Sequence, residues 1–280
     1  MENRGVVYYN CGTGCAVRLV VSIFSLRAVY DGSITIISDG DESHTLVRQI
    51  SRAFNICHIE INGSGVEPGH NYPLLSKTRV HRFSPYDRTV FLDADTVVIG
   101  CIDDLFDMLN YHDVVVTHFC DWFTSKNPVA ERIKEWNSIY PELIQSALSF
   151  GPAINTGVFA FNCSEQATLM LDTWAGMVLP GRKLFICDEI CLQLIIPMFD
   201  CGVASGVFNT SCKFGRLTPD TRVIHFHGKK HCRCERPLPF FGEIWVGLFD
   251  EVFRRDVASI SAWCPAGDRQ LEKFMKWRDK

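Results

Sequence analysis

The sequence predicts an α/β fold in one main domain followed by a helical appendage. Three observations carry this. Short apolar runs rich in β-branched residues alternate with amphipathic stretches through the first 61 residues, the pattern of strand and helix in turn. One later run, Val90 to Leu92, ends in paired carboxylates, Asp93-Ala-Asp95, at the strand end where open α/β sheets place their ligands. With 47% hydrophobic and 21% charged residues, the 280-residue chain can bury a full core.

Gly5 to Tyr9 reads as the first strand, and Asn10-Cys-Gly-Thr-Gly14 as a glycine-bearing turn after it. Helical apolar spacing runs from Ala16 to Tyr30. Ser33 to Ser38 is a second strand, closed by Asp39-Gly-Asp. Thr45 to Phe54 has amphipathic helical spacing, and Ile56 to Ile61 is a third strand. Alternation of this kind predicts parallel pairing. Asn62 to Asn71, rich in Gly and Pro, reads as a loop, and Tyr72 to Phe83 as a helix carrying Lys77 and Arg79. The Asp-x-Asp strand follows, then a second apolar run, Val97 to Ile99, ending at Gly100. Ile102-Asp-Asp-Leu-Phe opens a short helix, and Asp113 to Thr117 is another strand. Asn127 to Leu148 has helical spacing, broken before Pro141. Ala153 to Phe161 reads as strand, and Ser164 to Met177 as helix. Asp188 to Met198 is a helix with acids in its first turn, where the macrodipole favours them. Val223 to Phe226 is the last strand. Gly242 to Arg255 and Gly267 to Trp277 form the helices of the tail. The expected organisation is a domain over 1–236 and an appendage over 237–280 packed on it, with no internal repeat.

Composition narrows the classes without excluding a local basic patch. A formal net charge of -4 gives no global basic field for nucleic acid or an anionic membrane. The N-terminus has no basic region leading into a long apolar one, and no apolar run is long enough to cross a bilayer. The 13 cysteines are odd in number and scattered. Without a secretory signal, Cys57, Cys101, Cys163 and Cys201 are expected as reduced thiols in apolar runs, and the location as cytoplasmic. Cys187…Cys191 and Cys232-Arg-Cys234 lack the paired Cys-x-x-Cys spacing of a structural zinc site.

Two buried carboxylates together require a cation, a proton or a hydrogen-bond network. Asp93 and Asp95 supply hard oxygen ligands of the kind Mn²⁺ or Mg²⁺ accepts, with positions left for substrate phosphates. After the last strand comes His225-Phe-His-Gly-Lys-Lys-His231. His225 is a candidate third ligand. Gly228 would let backbone approach a phosphate, and Lys229 and Lys230 add point charges. Such a set points to breaking a bond to a nucleoside diphosphate. Structural readings stand beside these. Lys77 and Arg79 fit a solvated helix face, Asn155 a satisfied strand end, and Asp188 and Glu189 any helix first turn. His44, His58, His70, His81, His112 and His118 have no comparable company and are read as structural. The aromatic and basic residues around Trp263, Phe274 and Trp277 fit an interfacial anchor or acceptor platform, and are read in preference as packing of a terminal helix.

Leu75-Ser-Lys-Thr, Tyr86-Asp-Arg-Thr-Val-Phe-Leu-Asp-Ala-Asp-Thr-Val-Val and Ile102-Asp-Asp-Leu-Phe106 resemble the core of the retaining glycosyltransferases that include glycogenin and the bacterial lipopolysaccharide galactosyltransferases. Asn155-Thr-Gly-Val-Phe resembles that family's Asn-Ser/Thr-Gly strand, and Asp188-Glu189 its Asp-Gln helix start. His225-Phe-His-Gly-Lys resembles its His-x-x-Gly segment. The motifs keep family order from Val6 to about His231, roughly four-fifths of the chain. The resemblance implies the A-type glycosyltransferase fold with a mixed central sheet, Mn²⁺ or Mg²⁺, and a nucleotide-sugar donor, commonly a UDP-sugar. It implies Asp93, Asp95 and His225 as metal ligands, with Asp93 also near the donor ribose. Lys77 and Lys229 or Lys230 would meet the nucleotide, and Asn10, Gly12 and Thr13 would line the nucleoside pocket. Asn155 and Asp188 would face the transferred sugar. The acceptor would be a hydroxyl on a glycan, a lipid-linked sugar, a protein side chain or a modified nucleobase. Glu189 departs from the family's Gln, and His231 stands where a further lysine is usual.

Three other readings compete. Strand then Asp-Ala-Asp-Thr-Val also fits haloacid-dehalogenase-type phosphatases, but there the motif opens the first strand–helix unit, and here about ninety residues precede it. Gly12-Thr-Gly14-Cys-Ala-Val-Arg18 loosely suggests a nucleotidyltransferase loop. A catalytically silent nucleotide-sugar-binding protein would be expected to have lost Asp93, Asp95 or His225, all of which are present.

Overall fold

The computed structural model describes residues 3–62, 76–121, 137, 140–149, 152–178, 187–212, 215–226 and 251. Gly228, Lys229, Lys230 and the appendage expected over 237–280, apart from Glu251, lie outside the described residues, as do most of the 62–71 loop and the stretch 122–136. The first strands and helices are β1 (Arg4–Cys11), α1 (Ala16–Arg27), β2 (Ser33–Asp39), α2 (Asp41–Phe54) and β3 (Cys57–Ile61). They are followed by β4 (Arg88–Leu92), β5 (Thr96–Val98), α3 (Asp103–Met108), β6 (Val114–Asp121) and α4 (Pro141–Ser149). The remainder is β7 (Pro152–Asn162), α5 (Glu165–Val178), α6 (Cys187–Ile195), β8 (Cys201–Ala204), β9 (Thr210–Ser211) and β10 (Val223–His225).

Local chemistry sets several boundaries. α2 begins at Asp41, four residues before the apolar spacing suggests. Gly40 takes φ +87° at its N-cap, and Asp41 and Glu42 lie in its first turn. It ends at Asn55 in the left-handed conformation that Asn tolerates. Ser164 caps α5 by accepting from the Ala167 N–H at 3.1 Å. α4 starts on Pro141, where a missing N–H costs nothing. The helix expected over Tyr72 to Phe83 is not continuous where it is described: Ser76 and Lys77 end a helical turn, and a 3-10 turn follows at Val80–Arg82.

The main sheet has seven strands in the order β3-β2-β1-β4-β7-β6-β8. β3, β2, β1 and β4 are parallel, as the alternation predicts, and β7 runs antiparallel to both its neighbours. The expected mixed sheet is therefore present. Its central strands read as continuous apolar runs because both faces are covered, whereas edge strand β3 is largely open. Val7, Phe91, Phe159 and Phe161 face α5 and α6, where Phe91 and Phe159 stack at 4.8 Å and Trp174 meets Phe159 edge-on. Val6, Tyr8, Val90, Leu92 and Val158 face the other way, onto Leu19, Ile23 and Leu26 of α1 and Leu105 and Phe106 of α3.

A second sheet of three strands, β5-β10-β9, stands apart from the first. The two apolar runs flanking Asp93-Ala-Asp95 thus belong to different sheets, and the Asp-x-Asp turn is the corner between them. Cysteine placement corrects the sequence reading: Cys57, Cys101 and Cys163 are exposed and Cys201 is only partly covered, although all are free thiols. Four of the described histidines outside the site are engaged structurally. His44 and His58 share the Ser38 hydroxyl, His81 meets Asp172 and His112 meets Asp200.

Candidate active site and metal centre

Parallel pairing brings the carboxyl ends of β1, β2 and β4 to one edge of the sheet, with Cys11 opposite Asp39. Because β7 is antiparallel, its Asn155-Thr-Gly157 segment reaches that same edge, and the Asp93 N–H donates to the Gly157 carbonyl at 2.8 Å. β10 pairs with β5 so that His225 lies opposite Thr96, and the Phe226 N–H donates to the Asp95 carbonyl at 2.8 Å. Thr96 braces the corner, its hydroxyl donating to the Asp93 carbonyl at 2.8 Å.

The result is a cluster of Asp93, Asp95 and His225 whose ligand atoms lie within 4.8 Å of one another. His225 Nε2 is 3.1 Å from Asp95 Oδ1 and 3.9 Å from Asp93 Oδ2. Beside it, the buried Lys77 ammonium bridges Asp93 Oδ2 at 3.1 Å and Asp188 Oδ2 at 3.0 Å. Asp188 also accepts from the Thr156 hydroxyl at 2.6 Å, and its carbonyl accepts from Trp174 Nε1 at 2.8 Å. The sequence-predicted residues Lys77, Asp93, Asp95, Asp188 and His225 are therefore one constellation. Arg18 joins it from α1, 3.5 Å from Asp95 Oδ2. The sequence reading gave that arginine no part in this site.

Burial pushes the Asp93 carboxyl above its usual range despite Lys77, and Asp95 adds to the push. Burial works against a charged His225, yet Asp95, with Asp93 adding to it, holds the imidazole above its ordinary value. For Lys77 burial is again opposed, by Asp188 and then Asp93, so the ammonium stays charged well above its usual range. Even with Lys77 and His225 beside it, the Asp93 carboxyl favours taking up a proton, which is the electrostatics of a site that suits a further cation. Two carboxylates and an imidazole are also a donor set that Mn²⁺ accepts.

Asn155 is buried, and its side chain is engaged within the protein. Its Oδ1 accepts from the Gly157 N–H at 2.8 Å and from Asn209 Nδ2 at 3.1 Å, and its Nδ2 donates to Glu189. Asn209 was absent from every sequence motif, and no local signal marks it. Gly157 has a steric reason. A Cβ there would lie 2.1 Å from His225 Cε1 and 2.5 Å from Nδ1, so the imidazole occupies the space of the missing side chain. Gly157→Ala should therefore displace His225. We expect a stability loss of about 1–3 kcal/mol and Mn²⁺ binding weakened by about tenfold or more, read by thermal unfolding and metal titration. Wild-type metal affinity in that variant would contradict the geometry.

At the β1 end, Asn10 donates from Nδ2 to Ser43 Oγ at 2.6 Å and to the Gly12 carbonyl at 2.9 Å. Its Oδ1 is buried and has no hydrogen-bond partner among the described residues, which suits a donor group on a ligand. Gly12 takes φ +72° in the turn that also carries Thr13.

No family profile matches the chain. It is 29% identical over 173 residues to galactinol synthase 7 of Arabidopsis thaliana, covering 57% of this chain and 52% of that protein. The chain thus spans about half the length of the curated relative it matches. Among solved structures it is similar to the galactosyltransferase LgtC in complex with donor and acceptor sugar analogs, with TM-score 0.63, 15% identity and coverage of 88% of this chain and 95% of that one. It is similar to the glycosyltransferase GlyE of Streptococcus pneumoniae, with TM-score 0.61, 13% identity and coverage of 91% and 63%. Mouse xyloside xylosyltransferase 1 gives TM-score 0.56 at 13% identity, with coverage of 84% and 99%. The chain has the fold of the A-type glycosyltransferases, and it resembles those of the LgtC kind.

Proposed function

We propose that this protein is a metal-dependent glycosyltransferase that moves a sugar from a nucleotide-sugar, a UDP-sugar by the resemblance, to a hydroxyl acceptor. The observation that carries this is the Asp93, Asp95 and His225 cluster at the ligand edge of the sheet, with Lys77 and Asp188 against it. Those three side chains would hold Mn²⁺ or Mg²⁺. When bound, such an ion neutralises diphosphate charge and stabilises the leaving group. Asn10, Gly12 and Thr13 would line the nucleoside pocket, with the Asn10 Oδ1 accepting from the nucleoside. Lys77, Gly228, Lys229 and Lys230 would complete the nucleotide contacts.

Asp188 and Asn155 are our candidates for the sugar side. In the proposed retaining reaction, the acceptor oxygen bonds to the anomeric carbon on the face from which the sugar–phosphate C–O bond breaks. The hydroxyl proton passes to the leaving phosphate. Asp188 favours the positive charge that builds on the sugar. Glu189, where the family has Gln, adds a carboxylate next to Asn155. The acceptor class stays as the sequence frames it: a glycan, a lipid-linked sugar, a protein side chain or a modified nucleobase. The cytoplasmic location is likewise part of this proposal. No helix among the described residues is long and apolar enough to cross a membrane.

A panel of nucleotide-sugars, offered with and without Mn²⁺ while nucleoside diphosphate release is followed, tests the reading. Slow Mn²⁺-dependent release from one donor is the expected result. Release of inorganic phosphate instead would favour the phosphatase. Tight donor binding without turnover, even with acceptors supplied, would favour a silent binder.

A further inference from the structure

We propose that Asn209 is the positioning residue of the metal centre: its amide fixes the proton of His225 on Nδ1 and so presents the Nε2 lone pair to the cation. This rests on the metal-dependent reading above. Asn209 follows the 3-10 turn Gly206–Phe208, just before β9, and is 1% exposed. Its Oδ1 lies 2.9 Å from His225 Nδ1. Its Nδ2 lies 2.8 Å from Thr117 Oγ1, 3.1 Å from Asn155 Oδ1 and 3.3 Å from the Asn155 carbonyl.

The surroundings decide which way this amide points. The Asn155 carbonyl can only accept. Asn155 Oδ1 already accepts from the Gly157 N–H, and Thr117 gives its own hydrogen to the Val158 carbonyl at 2.8 Å. All three groups thus call for a donor, so the NH₂ faces them and the amide oxygen faces the imidazole. An amide oxygen cannot donate, so His225 Nδ1 must. The opposing pull is Asp95. Its Oδ1, 3.1 Å from Nε2, would favour a proton on Nε2 in the neutral ring, which is the tautomer that cannot ligate a metal. Asn209, anchored to β6 and β7, opposes that pull. A metal-bound histidine characteristically has such a partner on its second nitrogen.

The test uses the full chain and Mn²⁺ alone, with affinity read from the spin-resonance signal of the free ion. Asn209→Leu keeps the approximate shape and removes the acceptor, and should weaken Mn²⁺ binding about 10- to 100-fold. Asn209→Gln keeps the amide, with an acceptor for Nδ1 and a donor for Asn155 and Thr117, and should recover part of that loss. Equal losses in the two variants would mark Asn209 as merely structural and overturn the inference. Unchanged affinity in Asn209→Leu, with a wild type that binds, would overturn it while leaving the metal centre standing. A wild type that does not bind Mn²⁺ would remove the metal centre and the inference together. Should the variants not fold, long-range ¹⁵N–¹H spectra of the metal-free wild type at alkaline pH decide the matter. A proton on Nδ1 of His225 supports the assignment, and a proton on Nε2 overturns it.

Discussion

Asp95→Ala is expected to reduce donor turnover by at least about a hundredfold while leaving a cooperative unfolding transition. The side chain supplies one of two carboxylates in the cluster and is the nearer partner of His225 Nε2. A metal's electrostatic stabilisation of a transition state is worth several kcal/mol, and each 1.4 kcal/mol is a factor of about ten in rate. Loss of about 3 kcal/mol is therefore a modest demand for removing a ligand. The fold should tolerate the change, because relief of the push that Asp95 exerts on the Asp93 carboxyl offsets part of the lost contacts with His225 and Arg18. The measurements are Mn²⁺-dependent nucleoside diphosphate release and denaturant unfolding on the same preparation. A variant that keeps its metal-dependent turnover would falsify the assignment of this cluster.

Lys77→Met should instead lose both activity and stability. Met keeps a linear side chain but removes the ammonium that lies between Asp93 and Asp188. Breaking a buried ion network by deleting one partner typically costs about 3–5 kcal/mol, because the remaining charges are left uncompensated out of water. Lys77 is 5% exposed and Asp188 2% exposed, so solvent screens little of that cost. Urea unfolding at neutral pH should show the loss as a lower midpoint with an unchanged slope. A shift of less than about 1 kcal/mol, the size expected of a surface pair, would mean that the bridge contributes little to holding the site together.

Much of the site was legible because its signals are local. A β-branched run ending in Asp93-Ala-Asp95 names a strand and a ligand edge together. The company of His225, close to Gly228, Lys229 and Lys230, sets it apart from the histidines that the structure ties to Ser38, Asp172 and Asp200. The alternation through Ile61 determined four parallel strands once β4 was added, since buried strands and amphipathic helices declare themselves by period. Strands β8 and β9 were not legible: Cys-Gly-Val-Ala and Thr-Ser are too short to carry a period. Thiol burial was misread for a related reason. An apolar neighbourhood in sequence does not say which side of a strand end meets water, and Cys57, Cys101 and Cys163 meet it.

What the sequence by itself determined is the set of candidate ligands; what the tertiary structure decided is how each is held. His225 meets Asp95 only because β10 pairs with β5, closing a loop of more than a hundred residues whose register no local pattern encodes. Arg18 reaches Asp95 and Lys77 reaches Asp188 by the same kind of long-range closure, whereas Asn209 reaches His225 across the nearby β9–β10 pairing. Hydrophobic period fixes elements one by one, whereas the partner of a buried polar group is fixed by the packing of elements far apart in the chain. Gly157 shows the difference at one residue: in sequence it is the end of an Asn-Thr-Gly motif, and in the fold it is the space that the imidazole fills.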